Sequence, residues 1–292
     1  MKKPLFTGVC TALVTPFRQD RPDLQTLSEL IERQITAGVP ALVISGTTGE
    51  SATLSHEEKL TLFEHAAKTA AGRCVVIAGT GSNSTVESCA LTAEAAQTGV
   101  DAALCVTPYY NKCTQDGLRR HYEAILEASR LPVILYNVPT RTGVSLAPET
   151  CAALCAHPLL AGLKEADPDV AKLFRLRRLC ADALPVYCGN DDRIVPFYAA
   201  GASGVISVWS NVFPEIAVRL ASLCEAGRFR AAAALQTQQQ PLIEALFEEV
   251  NPIPVKAAMR MVGIDCGACR LPLTPPSPQL LTRLKALIKK TP

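Results

Sequence analysis

Eight short apolar runs, most of them ending in a small cluster of Gly, Thr, Tyr, Asn or Lys, constrain this chain more than any other feature. They occupy residues 8–17, 41–46, 74–78, 102–106, 132–137, 159–166, 184–187 and 204–208. Helix-like stretches separate them. One runs over 24–37, and another opens at Ser55-His-Glu-Glu58, where a serine followed three residues on by glutamate forms a capping box. Strands alternating with helices eight times over predict an α/β fold, the (β/α)8 TIM barrel. Runs that are apolar on both faces suit a closed parallel sheet rather than an open antiparallel one. The 292 residues are long for one ordinary domain and usual for a barrel. Further helical stretches lie near 214–226, 229–248, 254–263 and 277–290, and the last three exceed what a barrel needs. The expected organisation is a catalytic barrel over 1–224 and a C-terminal helical extension over 225–292, of a kind that often builds subunit contacts.

Composition narrows the function classes. Hydrophobic residues make up 48% of the chain and charged ones 19%, enough for a large core and too apolar for disorder. The net charge is +2, with no basic block beyond Lys2-Lys3 and Lys289-Lys290, so no nucleic-acid surface is expected. No run is long and apolar enough to span a membrane. The first residues faintly imitate an export signal, but Thr7, Thr11 and Thr15 interrupt them and no cleavage site follows. A cytoplasmic protein is expected. Its twelve cysteines are scattered through apolar strands and helices and read as reduced thiols. Cys266 and Cys269 form the one CxxC, which lacks the second pair or clustered His of a zinc site and lies far from any βαβ start. It reads as coincidence, and no metal is expected.

The residues able to do chemistry fall at the ends of the apolar runs, the face where barrel enzymes place their sites. Lys164 emerges from Leu159-Leu-Ala-Gly-Leu. Burial disfavours the charged form of a lysine, and a neutral amine beside a carbonyl compound forms a Schiff base. The loop Gly46-Thr-Thr-Gly-Glu-Ser51 has glycines and hydroxyls able to hold a small carboxylate. It reads equally well as a plain strand-to-helix turn, with Glu50 complementing the helix N-terminus. Tyr136 ends a buried strand, where its phenol could transfer protons or simply bond backbone. Arg141, in a loop stiffened by Pro139, could grip a carboxylate with two prongs or lie solvated at the surface. Tyr109 and Tyr110, adjacent on a loop, point different ways, so one can serve its own site and the other a neighbour; adjacent aromatics are more often packing or interface residues.

Together these motifs carry a resemblance. Gly46-Thr-Thr-Gly-Glu-Ser51, Val106-Thr-Pro-Tyr-Tyr-Asn111, Tyr136-Asn-Val-Pro-Thr-Arg-Thr-Gly143 and Gly162-Leu-Lys-Glu-Ala166 occur in the order and spacing of the pyruvate-dependent class I aldolase family. Asn251-Pro-Ile-Pro-Val-Lys256 and Arg270-Leu-Pro-Leu-Thr-Pro275 fit the same family, and the similarity runs from about Gly8 into the last helix. It implies that Lys164 forms an imine with pyruvate, that Thr47 and Thr48 hold the pyruvate carboxylate, and that Thr47 also joins a proton relay. Tyr136 moves protons, and Tyr110 is the relay member inserted by a neighbouring subunit. Arg141 binds the carboxylate of the second substrate, aspartate semialdehyde, while main-chain groups of Gly189 and Ile206 line the pocket. No metal or organic cofactor is implied. A homotetramer, built as a dimer of dimers, is implied, as is a place in lysine and diaminopimelate biosynthesis.

Arg141 also separates branches of the family. Sialic acid lyases and sugar-acid aldolases share the fold, the lysine and the tyrosine, but generally lack the Arg-Thr-Gly and carry a different first loop. A condensing enzyme is therefore expected over a retro-aldol lyase. A catalytically silent binding subunit is disfavoured by the intact Lys164, Tyr136, Thr47 and Tyr110. The positions matching the lysine-effector site of bacterial relatives are Ser51, Ala52, His56, Lys59, Asn83, Glu87 and Tyr109. Lys59 stands where lysine-inhibited relatives tend to carry histidine, and like-charge repulsion predicts weak or absent inhibition.

Overall fold

The computed structural model describes residues 2–291. Eight parallel strands close into a barrel: β1 (Gly8–Ala12), β2 (Ala41–Ile44), β3 (Val75–Gly79), β4 (Ala102–Val106), β5 (Val133–Asn137), β6 (Leu160–Glu165), β7 (Val186–Cys188) and β8 (Gly204–Ser207). Each strand pairs with its neighbours in sequence, and β1 joins β8 through Gly8–Gly204 to Thr11–Ser207. All eight apolar runs thus became barrel strands. Nearly every strand residue is buried because one face fills the barrel and the other meets the surrounding helices.

The two faces form separate clusters. Cys10, Val43, Ile77, Leu104, Ile134, Tyr136, Tyr187 and Ile206 fill the interior. Phe6 plugs the end opposite the site, its ring stacked on Tyr187 with centroids 4.3 Å apart. Outward residues such as Val9, Leu42 and Val205 pack with the helices. Helix His56–Ala70 begins with the expected capping box: Ser55 Oγ accepts from the Glu58 N–H, and the Ser55 N–H donates to the Glu58 carboxylate at 2.9 Å. A two-residue hairpin, Phe17–Arg18 against Arg21–Pro22, is an element the hydrophobic pattern does not announce, being too short to carry a period.

Helices Pro214–Glu225, Phe229–Ala245, Ile253–Met261 and Pro278–Ile288 follow the barrel. Their residues Leu242, Ile243, Val255, Met259, Leu280 and Leu284 share one apolar cluster with Leu13, Leu42 and Trp209 of the barrel region. The tail is therefore packed continuously onto the barrel, which brings Asn251 and Lys256 to the loop at the C-terminal end of β2. Among the described residues no helix is long and apolar enough to cross a membrane. All twelve cysteines are free thiols. Burial pushes the Cys266 thiol up to about 12 and the Cys269 thiol to about 11, leaving little thiolate for redox or metal chemistry at neutral pH.

Candidate active site

Lys164 and Tyr136 are register partners on β6 and β5. Both side chains point into the C-terminal mouth of the barrel, and Lys164 Nζ lies 4.1 Å from the centroid of the Tyr136 ring. Lys164 is 5% exposed, so little of it meets bulk water. One residue further, Glu165 is turned outward and wholly buried. Its Oε1 accepts from Asn137 Nδ2 at 2.7 Å and from the Asp167 N–H at 2.7 Å, and Oε2 lies 3.1 Å from Lys172 Nζ. Burial pushes this carboxyl upward while the Lys172 ammonium opposes the shift. Asn137 in turn accepts from the Leu146 N–H at 2.8 Å. The strand ends that carry Tyr136 and Lys164 are thereby tied to each other and to the segment bearing Arg141.

The 46–51 loop follows β2. Ser45 (φ 56°) and Glu50 (φ 57°) bracket it, both in the left-handed region that non-glycine residues rarely adopt. The loop presses against β3, where a Cβ on Gly79 would stand 2.3 Å from the Ser45 carbonyl oxygen, so only glycine fits. Thr15 Oγ1 donates to the Gly49 carbonyl at 2.7 Å from the β1 side. Thr48 is buried and accepts from Asn251 Nδ2 at 3.0 Å, while Thr47 is half-buried at the loop tip. Glu50 does not complement the following helix, as a simple turn would have it. Its side chain is fully buried, with Oε1 2.5 Å from Lys256 Nζ and Oε2 accepting from the Arg270 N–H at 2.8 Å. A buried carboxylate needs such partners, and both come from the tail. Lys256 is committed to this ion pair. Its ammonium lies 4.5 Å from the Phe17 ring centroid, and the Arg270 guanidinium sits 4.4 Å from the same centroid while forking onto Glu58.

Gly189 closes the mouth after β7. Its N–H donates to the Glu165 carbonyl at 2.8 Å, and an added Cβ would meet Ala166 at 2.8 Å. Ile206 lines the interior from β8. Asp191, also wholly buried, accepts from the N–H groups of Val208 and Trp209, each at 2.9 Å. Burial raises its carboxyl, and the nearby Lys164 is among the groups that favour its charged form. Arg141 belongs to the single helical turn Pro139–Thr142 after β5 and is exposed.

Tyr110 is not part of this constellation within one chain. It is 90% exposed, sits at φ 72°, and its hydroxyl makes no hydrogen bond among the described residues. Its neighbour Tyr109 is less exposed, at 38%. Of the effector positions, Ser51, Lys59 and Asn83 are half-buried, while Ala52, His56, Glu87 and Tyr109 are exposed. His56 is held by Glu94 at 2.8 Å. Burial lowers the Lys59 ammonium, and the Glu87 carboxylate opposes that shift.

Comparison with known proteins decides what this mouth belongs to. The model of the dihydrodipicolinate synthetase family matches residues 5–291. The chain belongs to that family. The 4-hydroxy-tetrahydrodipicolinate synthase of Exiguobacterium sp. strain AT1b is 50% identical over 274 residues, 94% of each chain. That of Acetivibrio thermocellus is 41% identical over 289 residues, 99% of this chain and 98% of its relative. Among solved structures, dihydrodipicolinate synthase from Aquifex aeolicus superposes with a TM-score of 0.96 at 40% identity, covering 98% of both chains. The enzyme from Acinetobacter baumannii, described as chloride-inhibited and complexed with pyruvate, gives 0.95 at 41%, again over 98% of both. Family membership thus rests on the whole barrel and its tail together. The sequence did not reveal the Glu50–Lys256, Glu165–Lys172 and Asn251–Thr48 contacts. Thr48–Asn251 and Glu50–Lys256 join positions 203 and 206 apart, which leaves no local signal, and Lys172 lies outside the legible motifs.

Proposed function

We propose that this enzyme condenses pyruvate with L-aspartate 4-semialdehyde to 4-hydroxy-tetrahydrodipicolinate, the committed step toward diaminopimelate and lysine, in the cytoplasm. The observation that carries the reading is the buried Lys164 amine against the Tyr136 ring at the barrel mouth, in a chain of this family. Lys164 Nζ attacks the ketone carbon of pyruvate, and loss of water leaves an imine. Removal of a methyl proton gives the enamine, whose terminal carbon adds to the aldehyde of the second substrate. The substrate's own amine then attacks the imine carbon, closes the ring and releases Lys164. Atoms balance with one water formed and no oxidant, metal or organic cofactor, the imine itself acting as electron sink.

The remaining roles follow from position. Thr47 and Thr48 donate to the pyruvate carboxylate from a loop whose backbone is fixed on three sides. Tyr136, beside the amine, passes protons during imine formation, with Thr47 as the next relay member. Tyr110 completes the relay in a neighbouring subunit, a role its full exposure and left-handed backbone favour. The working assembly is a homotetramer arranged as a dimer of dimers. Gly189 and Ile206 contribute main-chain groups to the pocket.

Turnover of pyruvate with aspartate semialdehyde, coupled to a dihydrodipicolinate reductase, tests the reaction, with sialic acid and 2-keto-3-deoxy sugar acids as competitors. Activity confined to the semialdehyde is expected, and preference for a sugar acid would overturn the second substrate. Arg141→Ala is expected to raise KM for the semialdehyde by about tenfold or more, the worth of a charge-assisted contact, and leave KM for pyruvate near wild type. A change confined to pyruvate would remove Arg141 from its role.

Lysine is expected to inhibit weakly or not at all. Lys59 places a fixed cation among these positions, so a cationic effector meets like charge. A dose–response measurement showing half-inhibition at about 0.1 mM lysine, a tight site on the affinity scale, would refute this.

A further inference from the structure

Two contacts pin the threonine loop from the far end of the chain. Asn251 Nδ2 donates to Thr48 Oγ1 at 3.0 Å, and Lys256 Nζ meets Glu50 Oε1 at 2.5 Å, so the same two segments are joined twice. Thr48 and Asn251 are 2% and 5% exposed, which leaves bulk water no part in satisfying them. A threonine hydroxyl carries one proton and can accept at its oxygen. Here the oxygen accepts from Asn251, and the hydroxyl makes no other hydrogen bond among the described residues. Its proton therefore has no acceptor among the described residues. The Asn251 carbonyl oxygen is likewise buried without a donor. Unsatisfied buried polar groups of this kind are costly and mark places where a ligand supplies the missing partner.

We propose that Asn251 is a positioning residue that sets the donor–acceptor polarity of Thr48. By occupying the hydroxyl oxygen from behind, its amide leaves Thr48 only its proton to offer, and that proton is the one a substrate carboxylate requires. The proposal rests on the reading that Thr48 holds the pyruvate carboxylate. The Glu50–Lys256 ion pair keeps the two segments at the separation the amide must span. Asn251 touches no substrate; it acts through Thr48 alone, and this gives it a signature that general loosening of the fold does not share.

The test is a double-mutant cycle on the full-length enzyme with Thr48→Val and Asn251→Ala, with KM for each substrate and kcat measured separately. Asn251→Ala is expected to raise KM for pyruvate about tenfold, the worth of an aligned hydrogen bond to a charged group, and to leave KM for the semialdehyde unchanged. The double variant should be no worse than Thr48→Val alone, because the second change removes nothing that remains. Additive effects, or a parallel rise in both KM values, would overturn the proposal. Asn251→Asp supplies a second arm should the alanine variant fold poorly. It is nearly isosteric but offers only acceptors, so it captures the Thr48 proton and should weaken pyruvate more than alanine does; an unchanged KM for pyruvate would count against Asn251. Borohydride trapping of the wild-type enzyme with pyruvate is run alongside. Trapping with an additive cycle defeats the positioning role only, whereas no trapping defeats the imine reading and this proposal with it.

Discussion

Lys164→Arg is expected to abolish borohydride-dependent labelling by pyruvate and to lower turnover by about 10⁴-fold or more, the scale seen when a covalent nucleophile is removed. Arginine keeps a positive charge and similar length in the barrel mouth, so the fold and the field near Asp191 should survive. The guanidinium is never deprotonated in a protein and cannot form the imine. Intact mass after reduction with pyruvate reads the result directly: the wild type gains one adduct and the variant none. Circular dichroism of the variant should match the wild type. Labelling that persisted at full stoichiometry would move the nucleophile elsewhere. Lys256 would be the next residue to examine, although its contact with Glu50 speaks against it.

The second large effect is on stability. Lys256→Met removes the cation paired with the fully buried Glu50 side chain and leaves its carboxylate to neutral donors of the tail such as the Arg270 N–H. Breaking a buried pair by removing one member costs about 3–5 kcal/mol, because the desolvated charge stays behind. For a chain of this size that corresponds to a fall in Tm of roughly 10 °C. Replacing both members, as in Glu50→Gln with Lys256→Met, should recover much of the loss, since no uncompensated charge remains. Thermal unfolding of the three variants beside the wild type checks this. A single variant as stable as the wild type would show that Glu50 is neutral or solvated and that the ion pair does not hold the loop.

The barrel was legible because its strands are short and apolar on both faces, a pattern that few other folds produce eight times in succession. Lys164 and Tyr136 were legible for a related reason: a polar group at the end of such a run has only the barrel mouth to occupy. The role of Glu50 stayed open in the sequence because its neighbourhood, two residues past Thr48 and before a serine-capped helix, suits a helix-start residue equally well. Its partner lies 206 positions away, and no local period encodes a contact of that range. Asn251 was visible as part of a motif, but its function depends on which hydroxyl it meets, and that is a fact of tertiary packing. Tyr110 marks a different boundary. The role proposed for it lies in a neighbouring subunit, and a single chain shows only that its ring is exposed.

The two pins on the threonine loop also order events during synthesis. The residues that would grip a keto acid leave the ribosome early, yet Asn251 emerges 203 residues after Thr48, a delay of roughly 10–40 s at ordinary elongation rates. Until then the loop is held only by its neighbours in the growing barrel, and Glu50 stays solvated for want of its cation. The nascent chain thus displays Lys164 and Tyr136 before the 46–51 loop has its partners from the tail. Both pins are made only once residues 251 and 256 have joined the chain, after the eighth barrel strand is already present.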